Sequence, residues 1–167
     1  MTRCNNLVLC AVMILGLTSV SRNAIPQHTV NEQLVGTWTL VSATVERDGQ
    51  KIEAFGANPL GYMIFTASGH FSWNFMRADR PKFASNNRQT GTPEENKAAV
   101  QGNLSAFGTY TISPDGSLTL QIVGSSFPNW NGTTQKRTVE IGGDQMKFTS
   151  PATSVGGRAV LMLSRAK

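Results

Sequence analysis

The chain has 167 residues, of which 40% are hydrophobic and 15% charged, and its formal net charge is +5. This length is sufficient for one domain with its own hydrophobic core. The 15 basic and 10 acidic residues form no dense cationic run, which argues against a nucleic-acid-binding protein.

The first 21 residues have the pattern of a secretory signal peptide. Arg3 supplies the positive start, residues 7–17 are apolar, and the small residues Ser19 and Ser21 precede the expected cleavage site. Cleavage is predicted after Ser21, with Ala24 as the alternative. The apolar run is shorter than the roughly 20 residues of a membrane span, although an uncleaved anchor is the competing interpretation. The pattern therefore predicts an exported protein, periplasmic or secreted, without membrane association after cleavage.

Both cysteines, Cys4 and Cys10, lie in this N-terminal segment. Cleavage leaves 14 basic and 10 acidic residues, a charge of +4 and no cysteine. Such a mature chain can form no disulfide and offers no thiol nucleophile or thiolate metal ligand. Its stability must therefore come from the hydrophobic core.

Residues 22–33 are predicted to be a flexible lead-in, with one possible helical turn over 31–34, and the folded domain is predicted to span 34–167. The first strand starts with Gly-x-Trp, at Gly36 to Trp38, and apolar residues continue through Leu40 and then from Val41 to Val45. This change of apolar face after Leu40 predicts a β-bulge.

A helix is predicted after a polar, irregular loop over residues 77–91. Thr92 is suited to cap it, Pro93 suits its first position, and Glu95 stands three residues after the cap. The helix is predicted to end at Val100 or Leu104.

Seven further runs have the composition or alternation of strands and are mostly separated by turn residues. They are residues 62–65, 70–76, 107–112, 118–123, 135–141, 146–149 and 159–165. This order predicts an all-β fold, an up-and-down antiparallel β-barrel of about eight strands with one short inserted helix. A β-sandwich is the alternative architecture.

Several segments, taken in this order, are similar to one known family. They are LVGTWTLVS (34–42), GYMIFTASGHFS (61–72), RADRPKFAS (77–85), GTPEE (91–95), FGTY (107–110), FPNWNGTTQKR (127–137) and the closing strand. Together they resemble the lipocalin-like domain proteins of bacteria and fungi, a branch of the calycin group. The resemblance implies a lipocalin-like barrel but no single activity.

The resemblance also implies a structural role for Gly36, Trp38 and Arg165. In typical lipocalins the Trp packs across the closed end and an Arg from the last strand lies over it, and Trp38 and Arg165 occupy the matching places. An arginine plane over an indole contributes a cation–π contact of about 0.5–2 kcal/mol. Arg158 is the competing partner, but Arg165 is preferred from the strand pattern. The Thr-Asp-x-x-Tyr motif of typical lipocalins is absent.

A barrel of this size is either filled by side chains or holds one small ligand. Aromatic and apolar residues of the predicted strands and of one connection are candidates to line such a cavity. The candidates are Tyr62, Ile64, Phe71, Trp73, Phe75, Tyr110, Trp130 and Met162. Arg77 and Arg80 are candidates to attract an acidic head group at the barrel mouth. The alternative for these arginines is a solvated loop in which Asp79 pairs with one of them.

No metal site or cofactor is predicted, because the mature chain has two histidines, His28 and His70, and no cysteine. The weak candidates for proton transfer are His70, Tyr62 and Tyr110. Three functions follow from the pattern. The first is an exported protein that binds a small apolar or amphipathic molecule. The second is a cofactor-independent isomerase or cyclase acting on an apolar substrate, and the third is a filled-barrel interaction module. The oligomeric state is left open.

Overall fold

The structure, a computed structural model, describes residues 29–167. The predicted signal peptide and the first part of the predicted lead-in lie outside these residues. Within them, none of the helices combines the length and the apolar character that a membrane span requires.

Nine antiparallel strands and three short helices make up the described part of the chain. The strands are β1 (Gly36–Arg47), β2 (Gln50–Glu53), β3 (Leu60–Phe65), β4 (His70–Met76), β5 (Asn103–Ile112), β6 (Ser117–Ser125), β7 (Thr134–Gly142), β8 (Gln145–Ser150) and β9 (Arg158–Arg165). The helices are α1 (Val30–Leu34), α2 (Pro93–Gln101) and a 3-10 turn at Pro128–Trp130.

Pairing between the first and last long strands closes the sheet. The strands follow one another in the order β2-β1-β3-β4-β5-β6-β7-β8-β9, and β1 also pairs with β9 from Trp38↔Arg165 to Glu46↔Arg158. Eight strands thus form a closed barrel and β2 is an additional short strand. The predicted up-and-down barrel is confirmed, and the β-sandwich alternative is wrong. The register shift between Leu40 and Ser42 is the predicted bulge.

The additional strand β2 was not expected from the sequence because all four of its residues are exposed. It is joined to β1 by Asp48 and Gly49, which both have positive φ angles, 54° and 76°. Two such residues make a tight hairpin turn whose twist matches the strands. The Asp48-Gly49 pair predicts the turn. Strand β2 itself has no alternation of apolar and polar residues by which it could be predicted.

Helix α2 begins as predicted, with a complete capping box. The Glu95 amide donates to Thr92 Oγ1 at 3.2 Å, and the Thr92 amide donates to Glu95 Oε2 at 2.9 Å. The other oxygen of Glu95 accepts a hydrogen bond from the Ala84 amide at 2.8 Å. These backbone donors lower the pKa of the Glu95 carboxyl group. Glu95 therefore joins the loop after β4 to the start of the helix.

The end of the barrel where β1 begins is closed by α1 and Arg165. Trp38 is fully buried and its Nε1 donates to the Leu34 carbonyl at 2.8 Å. Arg165 places its guanidinium carbon 4.2 Å from the centroid of the Trp38 ring, as the resemblance implied. Its nitrogens donate to the carbonyls of Val35 at 3.1 Å and Gln33 at 2.7 Å. One side chain thus joins the last strand, the first strand and α1.

Gly36 of the Gly-x-Trp pattern is required by this arrangement. Its φ angle is +136°, and a Cβ atom at this position would lie 2.8 Å from Arg165 Nη1. A larger residue would therefore be strained in its backbone and would also displace the guanidinium.

We expect Arg165→Met to lower the free energy of unfolding by about 2–4 kcal/mol, because it removes the cation–π contact and two charged hydrogen bonds. Urea denaturation followed by circular dichroism measures the change. Arg158→Met is the matched control, since Arg158 is an exposed arginine on the same strand, and we expect it to change stability by no more than about 0.5 kcal/mol. Equal stability of the two variants would contradict a structural role for Arg165.

Candidate functional site

The half of the barrel away from Trp38 contains a cavity of about 550 Å³ that opens between the strand ends. This volume lies within the roughly 300–1,000 Å³ of small-molecule sites. At the closed end, by contrast, large apolar side chains fill the interior. The fully buried ones include Trp38, Phe65, Leu118, Leu120, Met146 and Leu163.

Aromatic side chains form one wall of the cavity. Trp73 and Phe75 of β4 line it, with parallel rings whose centroids lie 6.3 Å apart. Phe148 of β8 meets Trp73 edge to face at 6.2 Å, and Phe55 packs against Phe75 at 5.9 Å. Phe71 stacks on Trp73 at 5.0 Å from deeper in the barrel and does not line the cavity. The wall offers a flat, rigid surface to an aromatic or aliphatic molecule.

Two polar atoms of this lining have no hydrogen-bond partner within the described chain. They are the Nε1 donor of Trp73 and the Oδ1 acceptor of Asn103, and both atoms are buried. Buried polar atoms are nearly always paired in folded proteins, because an unpaired one forfeits its bonds to water. The wall of the cavity therefore contains one unpaired donor and one unpaired acceptor, and neither atom has appreciable accessible surface.

Arg137 of β7 also lines the cavity, and this residue is only 8% exposed. Its nitrogens donate to the Lys136 carbonyl at 2.7 Å and to the side-chain oxygen of Gln135. No carboxylate is paired with it among residues 29–167. Burial lowers the pKa of Arg137 to about 10, so the group remains charged at neutral pH. The lining thus contains a buried cation with only neutral acceptors. Arg137 also borders a smaller recess of about 400 Å³.

The two arginines proposed for the mouth occupy different places. Arg77 lines the cavity and forms a two-pronged pair with Asp79, at 2.9 and 2.6 Å. This pairing lowers the pKa of Asp79 and raises that of Arg77. Arg80 does not line the cavity, because its nitrogens contact the Arg77 carbonyl and Met76 Sδ. The solvated pairing of Asp79 with an arginine, the alternative considered above, is therefore present at Arg77.

The register of the strands corrects three residues of the predicted lining. Tyr62 and Ile64 are 53% and 41% exposed, because β3 turns Met63 and Phe65 inward instead. Met162 is likewise on the other face of β9 from the buried Leu161 and Leu163. Trp130 does line the cavity, where it packs edge to face on Phe127 at 5.8 Å.

The three candidates for proton transfer lie away from the cavity. Tyr110 is buried at the closed end, where its hydroxyl donates to the Thr66 carbonyl at 2.8 Å, and burial raises its pKa. His70 is exposed beside the same turn and contacts Ser68 Oγ at 3.2 Å. Tyr62 points outward. No group of three His, Cys, Asp or Glu side chains in the described chain is arranged to hold a metal ion.

Comparison with known proteins identifies two similarities. Residues 35–162 match the lipocalin-like domain family. The chain is also 34% identical, over 83 residues, to the 4'-hydroxy-3'-methoxypropiophenone carrier protein of Aspergillus oryzae. The matched segment covers 45% of this chain and 74% of that protein.

We expect Arg137→Met to raise the free energy of unfolding of the ligand-free protein by about 1–3 kcal/mol, because a buried charge without an acidic partner is replaced by an apolar side chain of similar length. Urea denaturation at neutral pH measures the difference. Lys136→Met is the control, since Lys136 is exposed on the outer face of the same strand, and we expect almost no change. A loss of stability in Arg137→Met would mean that the two neutral hydrogen bonds outweigh the burial of the charge.

Proposed function

The chain belongs to the lipocalin-like domain family, and on that premise we propose that it carries a small apolar or amphipathic molecule inside its barrel. The observation that carries this proposal is the cavity of about 550 Å³ with its aromatic wall. A barrel with no ligand to bind gains stability from side chains that fill its interior, since an unfilled cavity of this size forgoes dispersion contacts. The closed end of this barrel is filled in that way and the open end is not.

The relative from Aspergillus oryzae narrows the class of ligand. Its name assigns it an aromatic ketone with hydroxyl and methoxy substituents. A flat ring of that kind fits the chemistry of the wall formed by Trp73, Phe75 and Phe148. We therefore propose aromatic compounds with polar substituents as the first ligands to test.

We propose further that the protein is exported to the periplasm or the medium. The charge, the short apolar run and the small residues of positions 1–21 support this proposal. We expect the secreted or periplasmic form to begin at Arg22, or at Ile25 if cleavage follows Ala24. Intact mass measurement of the protein from the extracellular or periplasmic fraction checks this, and recovery of the full-length chain from a membrane fraction would contradict it.

Binding can be tested with N-phenyl-1-naphthylamine, a neutral aromatic reporter whose fluorescence rises in apolar surroundings. We expect saturable binding to the wild-type protein. We expect Ala43→Phe to weaken it at least about tenfold, because Ala43 lines the cavity and a phenyl ring there occupies the ligand's space. The matched control is Val41→Phe, which adds the same ring to an exposed position of the same strand.

Two outcomes would contradict the carrier proposal. One is the absence of saturable reporter binding to the wild-type protein. The other is equal affinity of the wild-type and Ala43→Phe proteins, provided that circular dichroism shows both to be folded, because the reporter would then bind outside the barrel.

A further inference from the structure

We infer that the cavity selects ligands that carry a carboxylate, which binds the guanidinium of Arg137. This inference rests on the proposed function and specifies the ligand class of the same site. It assigns a role to Arg137, which neither the family description nor the name of the relative does.

The first step of the argument is the charge of Arg137. Water stabilises an exposed guanidinium, and a buried one needs a counter-charge to offset the loss of that hydration. Arg137 is 8% exposed, and no acidic side chain of the described residues pairs with it. The acidic residue of the cavity lining, Glu53, is exposed and forms no ion pair with it. An anionic ligand would supply the missing counter-charge.

The second step is the number of free donors. A guanidinium has five N–H groups in a planar fork that matches the two oxygens of a carboxylate. The structure assigns hydrogen bonds to two acceptors, the Lys136 carbonyl and the Gln135 side chain. Both acceptors are neutral and belong to the same strand, so they hold the side chain in place while further donors stay available. The Arg137 side chain is therefore held in place by two hydrogen bonds, while its other N–H donors have no partner among the described residues.

The third step is the surroundings. The aromatic wall at Trp73 and Phe148 gives the body of the ligand an apolar contact, and apolar surroundings strengthen a charged hydrogen bond. An aromatic carboxylate is therefore complementary both to the aromatic wall and to Arg137.

The test is a competition in which 2-naphthoate and 2-naphthamide displace N-phenyl-1-naphthylamine at neutral pH. The two competitors have nearly the same shape and differ in charge. We expect the wild-type protein to bind 2-naphthoate about 10- to 100-fold more tightly, the range that a charged hydrogen-bond pair provides. In Arg137→Met we expect that preference to vanish or reverse, with affinity for the neutral reporter retained, which also shows that the variant is folded.

Two further variants sharpen the test. Lys136→Met removes the same charge from the outer face one residue away, and we expect it to keep the wild-type preference. Arg137→Lys keeps a cation but loses the planar fork, and we expect an intermediate preference. A general attraction of anions to a basic protein would instead lower the preference equally in Lys136→Met and Arg137→Met.

Three results would overturn the inference. The first is equal affinity of the wild-type protein for the two competitors, and the second is an unchanged preference in Arg137→Met. The third is 2-naphthoate binding that survives in Ala43→Phe when measured directly by calorimetry, which would place the anion in the smaller recess beside Arg137. In all three cases saturable binding of the neutral reporter would leave the carrier proposal standing, whereas failure of the reporter to bind the wild-type protein would remove both.

Discussion

The pairing of β1 with β9 is the constraint on which the rest of the molecule depends. It converts a meander with two free edges into a closed barrel, and closure is what gives the sheet an inside. Arg165 reinforces this pairing, since it stacks on Trp38 of β1 and binds the carbonyls of Gln33 and Val35. The same residue therefore aligns the two strands and holds α1 across one end. With that end closed and packed, the space that remains is at the other end.

The two ends of the barrel differ in packing and in the pairing of their polar groups. The closed end is dense and apolar, and each polar group described there, such as Trp38 Nε1 and the Tyr110 hydroxyl, has a partner. The open end keeps a cavity, two unpaired buried atoms and a buried cation at Arg137. Each of these features lowers the stability of the unoccupied protein. Binding sites typically lower the stability of the ligand-free protein. A bound ligand then supplies the packing contacts and the charge partner that the protein alone does not have.

Much of the fold was predictable because it depends on local pattern. All eight barrel strands were predicted from their apolar patterns and from turn residues, and the capping box at Thr92 and Glu95 was predicted from its residue types. The site was less predictable, because it depends on which face of each strand points inward. The sequence of β3 does not show whether Tyr62 and Ile64 or Met63 and Phe65 face the barrel interior, since all four side chains are largely apolar. Arg137 could have been found from its strand, where it alternates with the polar Lys136 and Thr138 and shares a face with Val139.

The sequence by itself determined the strand order, the inserted helix and the family resemblance, since these follow from residue periodicity, turn chemistry and short motifs. Tertiary structure alone decided the strand register, the exposed strand β2, the existence of the cavity and the burial of Arg137. The physical reason is that a strand shifted by one residue exchanges its two faces without changing its local pattern. Only contacts between strands far apart in the chain fix that choice, and with it which side chains a ligand can reach.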